Sequence, residues 1–160
     1  APVLTERDFT YMQSRFDSLF EILDRSTKAR REGVNVLLYG FPGTGKSQLA
    51  SVLAQKLKRQ LIEVSTRNVV GMPHSPMGRF KCYQLAQAML DPDHALIVFD
   101  ECEEVLGQGG MFTVDPEQLV RAQKSWINEQ LVNNKVPTIW ICNSVADFDP
   151  AFIRRFELCL

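Results

Sequence analysis

The segment Gly40-Phe41-Pro42-Gly43-Thr44-Gly45-Lys46-Ser47 constrains this chain more than any other. It follows an apolar run, Val34 to Tyr39. It precedes a stretch from Ser47 to about Lys58 in which Leu49, Ala50, Val52, Leu53 and Leu57 recur at helical spacing. Strand, glycine-rich turn and helix, in that order, are the setting in which G-x-x-x-x-G-K-[ST] has a physical meaning. The glycines let the backbone fold around a phosphate with its N–H groups turned inward, and the helix adds the positive end of its dipole. Lys46 would reach the β- and γ-phosphates of a nucleotide, and the Ser47 hydroxyl would ligate magnesium.

The remaining pattern supplies the sheet that such a turn requires. Leu61 to Val64, Ala95 to Phe99 and Thr138 to Cys142 are short apolar runs, and Glu157 to Leu160 starts a last strand. Between them, helices are expected from about Phe80 to Leu90, from Asp115 to about Asn134, and in a short piece beginning near Asp149-Pro150. Gly71, Pro73, Pro76 and Gly78 mark one loop, and Gly107, Gly109 and Gly110 a second. Upstream, Phe9, Met12, Phe16, Leu19, Phe20 and Leu23 form a helical stripe between Thr5 and about Arg31, with Thr5 and Asp8 in a capping pattern. Continuous apolar strands alternating with helices predict an α/β fold: three layers around a central, mostly parallel five-stranded sheet. Ligands then bind at the carboxyl ends of the strands, which directs attention to the residues after Tyr39, Phe99 and Cys142.

Length and composition narrow the class. A chain of 160 residues fits one domain. A formal charge of -1 offers no global attraction for nucleic acid or an acidic membrane surface. Four scattered cysteines, Cys82, Cys102, Cys142 and Cys159, show neither zinc-site pairing nor disulfide density. They read as reduced core thiols, so a cytoplasmic location is expected. No apolar run approaches the ~20 residues of a membrane span. The chain begins without Met and stops within a strand pattern, which suggests a domain excised from a longer protein.

Phe99-Asp100-Glu101 closes an apolar strand with two acids. Asp100 suits the holding of magnesium through water, and Glu101 the orientation and deprotonation of an attacking water. Kinases that pass the phosphoryl group to a bound acceptor need no such base, so hydrolysis is favoured. Asn143 follows Cys142 directly and would lie beside the glycine-rich turn if its strand neighbours the one ending at Tyr39; a neutral amide there helps to position water. Asp149-Pro150-Ala151-Phe152-Ile153-Arg154-Arg155 puts two guanidinium groups at a helix end, where arginine is suited to stabilise a transferring phosphoryl group in an adjacent subunit. His74 and His94 lack a ligand cluster, and Trp126 and Trp140 sit among apolar neighbours as core residues.

GFPGTGKS, ALIVFDE, TIWICNS and DPAFIRRFE occur in the order and at roughly the spacing found in AAA+ ATPases, and over about residues 33 to 160 the chain resembles that family. The resemblance implies that Gly40, Pro42, Gly43, Thr44, Gly45, Lys46, Ser47 and Gln48, together with Asp100, bind ATP, with Mg2+ held by Ser47 and Asp100. It implies catalytic roles for Glu101 and Asn143, and for Arg155 together with Arg154 as the finger reaching into the next subunit's site, with the choice between the two arginines open. It also implies an N-terminal helical segment, 1–32, leading into a large nucleotide-binding subdomain, 33–160, cut before the family's helical lid. The intact protein would be a homo-oligomeric ring, a hexamer by resemblance, and the 160-residue piece a monomer. The Asp-Pro-Ala opening is most similar to the branch that remodels proteins. The loop 68–74, Asn-Val-Val-Gly-Met-Pro-His, departs from the family's threading members in having no aromatic residue. Two other functions on the same fold stay open: a DNA-directed motor or loader, which needs a basic pore or DNA-binding domain, and a nucleotide-gated scaffold with slow turnover, which has no use for Glu101.

Overall fold

A computed structural model describes residues 13–67, 70–107 and 117–160, with backbone alone for 117–123. Its strands are β1 (Asn35–Tyr39), β2 (Gln60–Glu63), β3 (Ala95–Phe99), β4 (Thr138–Cys142) and β5 (Leu158–Cys159). The helices are α1 (Gln13–Lys28), α2 (Lys46–Lys56), α3 (Pro76–Met89), α4 (Glu103–Leu106), α5 (Glu117–Asn133) and α6 (Pro150–Ile153). The strands form one sheet in the order β2-β3-β4-β1-β5, and every ladder is parallel. The expectation of a mostly parallel sheet becomes an entirely parallel one among the described strands.

Strand alternation divides the core into two layers of side chains. Val36, Leu38, Leu96, Val98, Ile139 and Ile141 face Phe16, Leu19 and Leu23 of α1 and Leu49, Val52 and Leu53 of α2. Leu37, Ile97, Phe99, Trp140 and Cys142 face the other way, toward Phe80 and Tyr83 of α3, Ile127 and Leu131 of α5, and Phe152 of α6. Because helices cover both faces, β3 and β4 are buried at every position. The edge strand β2 leaves Gln60 and Glu63 exposed, and β5 is two residues long. Backbone bonds from Glu157 N to Asn35 O and from Leu160 N to Leu37 O extend the β5 contact at both ends.

Polar groups at the amino ends of the strands are paired in the interior. Asn35 receives the Trp140 indole N–H at 2.9 Å and donates to Leu131 O at 2.6 Å and Asn134 Oδ1 at 3.0 Å. Burying those amides would be costly without the partners, so the network specifies how α5 meets β1 and β4.

Two boundaries differ from expectation. Helix α3 starts at Pro76, not near Phe80, because Ser75 caps it, accepting from Gly78 N at 3.1 Å, and Pro76 occupies the first turn. There the missing N–H has no cost and the ring pre-sets φ. Helix α4 was not foreseen; it is one turn long and continues directly from the acids after β3. The capping pattern at Thr5 and Asp8, the stripe residues Phe9 and Met12, Asn68 and Val69, Gly109 and Gly110, and the helix start at Asp115-Pro116 lie outside the described residues.

Candidate functional site

Strand β1 delivers its chain to the carboxyl edge at Tyr39, and the turn into α2 follows. Gly43 and Gly45 have φ of +79° and +83°. Both lie in the left-handed region, where a Cβ would be strained, which is why glycine recurs in this turn. Gly45 is the residue immediately before α2, so the first N–H groups of an 11-residue helix open onto the loop. The Lys46 ammonium rests against the carbonyls of Gly40 and Phe41, at 2.8 and 2.9 Å.

Parallel pairing brings the other elements to the same edge. Tyr39 pairs with Cys142 and Phe99 with Trp140, so the residues after β1, β3 and β4 emerge together. Asn143 Oδ1 lies 3.4 Å from Lys46 Nζ. Ser47 Oγ donates to Asp100 Oδ2 at 2.7 Å, and the second oxygen of Asp100 accepts from Glu101 N at 2.8 Å. Glu101 is exposed with φ +52°, a left-handed conformation unusual for a side chain of its size. Hydroxyl and carboxylate oxygens converging in a half-exposed position are hard donors, the kind that suits Mg2+ with several waters retained. The residues therefore fit that cation.

Gly40, Pro42, Thr44 and Gln48 flank this cluster on the loop and the first turn of α2. Arg154 and Arg155 are exposed at the end of α6, just before β5, where the chain returns to the amino end of β1 through the bond from Glu157 N to Asn35 O at 2.8 Å. Arg154 Nε donates to Pro150 O at 3.3 Å, and no hydrogen bond or ion pair among the described residues joins either arginine to the Gly40–Ser47 loop. Asp149 caps α6, accepting from Ala151 N at 2.8 Å, and pairs with Lys124 at 2.8 Å. The Lys124 ammonium, followed by the Ala151 N–H, lowers the Asp149 carboxyl from its ordinary pKa.

Sequence reasoning missed several neighbours. A cleft of about 280 Å³ beside the loop is lined by Arg15, Tyr39, Phe41, Thr44, Leu49 and Leu160. Arg15 and Leu160 come from opposite ends of the chain, and no local pattern announces their meeting. Glu103 Oε1 lies 3.3 Å from both nitrogens of Asn143, backbone and amide. Arg79 of α3, 1% exposed, sits behind the two acids. A larger cleft of about 490 Å³, lined by Arg30, Asp93, Lys135 and Pro137, lies at the amino ends of β3 and β4, away from the converging groups.

Two of the cysteines prove to be neighbours. Cys102 and Cys142 are buried, and their sulfurs and a Glu103 oxygen lie within 4.8 Å of one another. Burial, with Cys142 beside it, pushes the Cys102 thiol well above its ordinary pKa. The pair packs as small apolar groups in the core layer of Phe99, Val105 and Leu106. Trp140 is fully buried and Trp126 partly so, as core residues.

Residues 36–160 match the family model described as ATPase family associated with various cellular activities (AAA), and the chain belongs to that family. The chain is 29% identical over 141 residues to the pachytene checkpoint protein 2 homologs of Mus musculus and Homo sapiens, an alignment covering 77% of this chain and 33% of each relative. The Arabidopsis thaliana homolog is 28% identical over the same length, with 30% of it covered. The chain thus spans about a third of the curated relatives it matches. Among solved structures, an E. coli MS115-1 HORMA:CdnC:Trip13 complex has a TM-score of 0.61 at 19% identity, covering 93% of this chain and 61% of that one. The FIGL-1 AAA domain in complex with ADP gives 0.60 at 19% identity, covering 93% and 52%. C. elegans PCH-2 gives 0.57 at 18% identity, covering 92% and 41%. These three likenesses establish the same fold. No helix among the described residues is long and apolar enough to cross a membrane.

Proposed function

We propose that this AAA-family core binds ATP with Mg2+ and hydrolyses it, and that in the intact protein turnover drives the remodelling of a protein substrate. The observation that carries the reading is the convergence of Lys46, Ser47, Asp100 and Asn143 at the ends of three adjacent strands. Lys46 neutralises the terminal phosphates while the N–H groups before α2 receive their oxygens. Ser47 and Asp100 hold Mg2+, which when bound would neutralise charge developing on the phosphoryl oxygens. Glu101 faces solvent at the same edge, where its carboxylate takes the proton of an attacking water that Asn143 helps to orient. The cleft between Arg15, Tyr39, Leu49 and Leu160 receives the base and ribose.

Residues 33–160 form the large nucleotide-binding subdomain in this reading, with 1–32 leading into it. The exposure of Arg154 and Arg155, away from the chain's own loop, supports a role for Arg155, with Arg154 beside it, in the site of the next subunit of a homo-oligomeric ring. A protein substrate is favoured over nucleic acid because the curated relatives are checkpoint proteins by name and one structural neighbour was solved in a HORMA:CdnC:Trip13 complex.

Calorimetry with ATP on the intact protein and its Lys46→Ala variant tests the site. Loss of tight binding is expected, since only backbone donors then face the terminal phosphates. An unchanged Kd contradicts the assignment.

A further inference from the structure

The fully buried charge of this fold is Arg79: among the described residues that are buried, it alone carries an ionic side chain. Its position on the inward face of α3, between Pro76 and Phe80, is one where an apolar residue would pack at no electrostatic cost. All of its side-chain partners belong to one short segment, from Phe99 at the end of β3 to Glu104 in α4. One terminal nitrogen, Nη2, donates to the carbonyl of Asp100. The other, Nη1, donates to the carbonyl of Glu101 at 3.3 Å and to the Glu104 carboxylate at 3.1 Å. The guanidinium lies over the Phe99 ring, 4.6 Å from its centre. Its Nε is buried with no hydrogen-bond partner, so the fork is directed at these carbonyls even though one donor is left unpaired.

Two successive carbonyls turned toward one cation fix the two peptide planes that flank Glu101. Those planes set φ and ψ of Glu101, and its φ is +52°. A glutamate has no intrinsic preference for that region, so the surrounding contacts must hold it there. The direction of the Glu101 side chain follows from those dihedrals.

We infer that Arg79 is a positioning residue: it clamps the carbonyls of Asp100 and Glu101 so that the Glu101 carboxylate faces the water-attack side of the nucleotide, while Asp100 is held separately by its own bond to Ser47. The inference rests on the hydrolytic reading of Glu101 and adds to it the group that aims the base. Arg79 itself is 1% exposed and acts through these carbonyls, not on the reacting groups. A bidentate planar fork is required, since a lysine ammonium cannot hold two carbonyls and a carboxylate in the same fixed geometry.

The test uses the intact protein and four variants: Arg79→Met, which keeps the apolar volume and removes the charge, Arg79→Lys, Glu101→Gln, and Arg79→Met combined with Glu101→Gln. Titration with ATP gives Kd, single-turnover hydrolysis gives the chemical rate, and near-UV circular dichroism reports folding. Arg79→Met is expected to slow hydrolysis by about tenfold or more, as a misplaced catalytic group does, while Kd for ATP stays near the wild-type value. Arg79→Lys should recover part of the rate. The combined variant should be no slower than Glu101→Gln alone, because a clamp acting through Glu101 has nothing left to aim. Wild-type hydrolysis by Arg79→Met, a further slowing in the combined variant, or a Kd that weakens in step with the rate would each overturn the inference. Should Arg79→Met fail to fold, Arg79→Lys decides: an undiminished rate contradicts the clamp, and a slower rate at unchanged Kd upholds it. Undiminished hydrolysis by Glu101→Gln would remove the hydrolytic reading itself, whereas a silent Glu101→Gln beside a normal Arg79→Met removes only the role of Arg79.

Discussion

The Ser47 hydroxyl and the Asp100 carboxylate, 53 residues apart in sequence, share a 2.7 Å hydrogen bond across the carboxyl edge of the sheet. Their meeting depends on the strand order: β3 reaches β1 only through β4, yet the loops after both strands lean into one cluster.

That pairing predicts a linked dependence on Mg2+. Asp100→Asn keeps the shape of the side chain and its bond to Ser47, but removes the charge that recruits the cation. ATP affinity in the presence of a chelator should match the wild type, while the gain on adding Mg2+ should fall by about tenfold or more. Paired ATP titrations with and without Mg2+ measure it. An undiminished gain would remove Asp100 from the cation site.

The position of Arg155 at the exposed end of α6 predicts action between subunits. Arg155→Ala should leave nucleotide binding nearly intact and lower turnover of the assembled protein by roughly 10³-fold, the scale of a lost arginine finger. Mixing it with Lys46→Ala subunits restores some contacts in which a sound finger faces a sound loop. Activity that never rises above the sum of the two parents would count against action in trans.

Asp149 predicts a pH dependence of stability. Its carboxyl is held below its ordinary pKa, first by the Lys124 ammonium and then by the Ala151 N–H. A depressed folded-state pKa contributes stability that is present above the unfolded value, about 3.9 for Asp, and that disappears as pH falls through the lower folded value. Asp149→Ala should therefore cost about 1 kcal/mol at neutral pH, the usual worth of a lost N-cap. The gap in thermal midpoint between variant and wild type should narrow below about pH 4 as the wild type protonates. A gap that widens on acidification would contradict the assignment of the cap.

Much of this was legible because the relevant signals are local. The buried strands β3 and β4 were read at their observed bounds, since a fully covered parallel strand is a plain apolar run between breakers. The turn at Gly40 to Ser47 carried its own geometry in its glycines. What escaped was tertiary. Arg79 drew no reading, because the helix was expected to begin near Phe80 and nothing in the sequence says that α3 turns this position toward the carbonyls after β3. Cys102 and Cys142 seemed unrelated at 40 positions apart, until parallel pairing laid the ends of β3 and β4 side by side. The start of α3 was missed because Pro76 and Gly78 were weighed as loop signals, whereas Pro76 fills the first turn of the helix and Gly78 N bonds the capping Ser75.

Hydrolysis by the intact protein, compared between wild type and Glu101→Gln, bears on the proposed chemistry with the fewest intermediate assumptions. Amide for carboxylate preserves shape at a position exposed at the site, so ATP with Mg2+ should bind with near wild-type affinity. Turnover should fall by about 10²-fold or more, the usual worth of a general base. Both quantities come from one preparation, by ATP titration and by the rate of phosphate release. Tight binding with turnover lost is the predicted result; phosphate release at the wild-type rate would show that Glu101 is not the base and would contradict the hydrolytic mechanism proposed for this site.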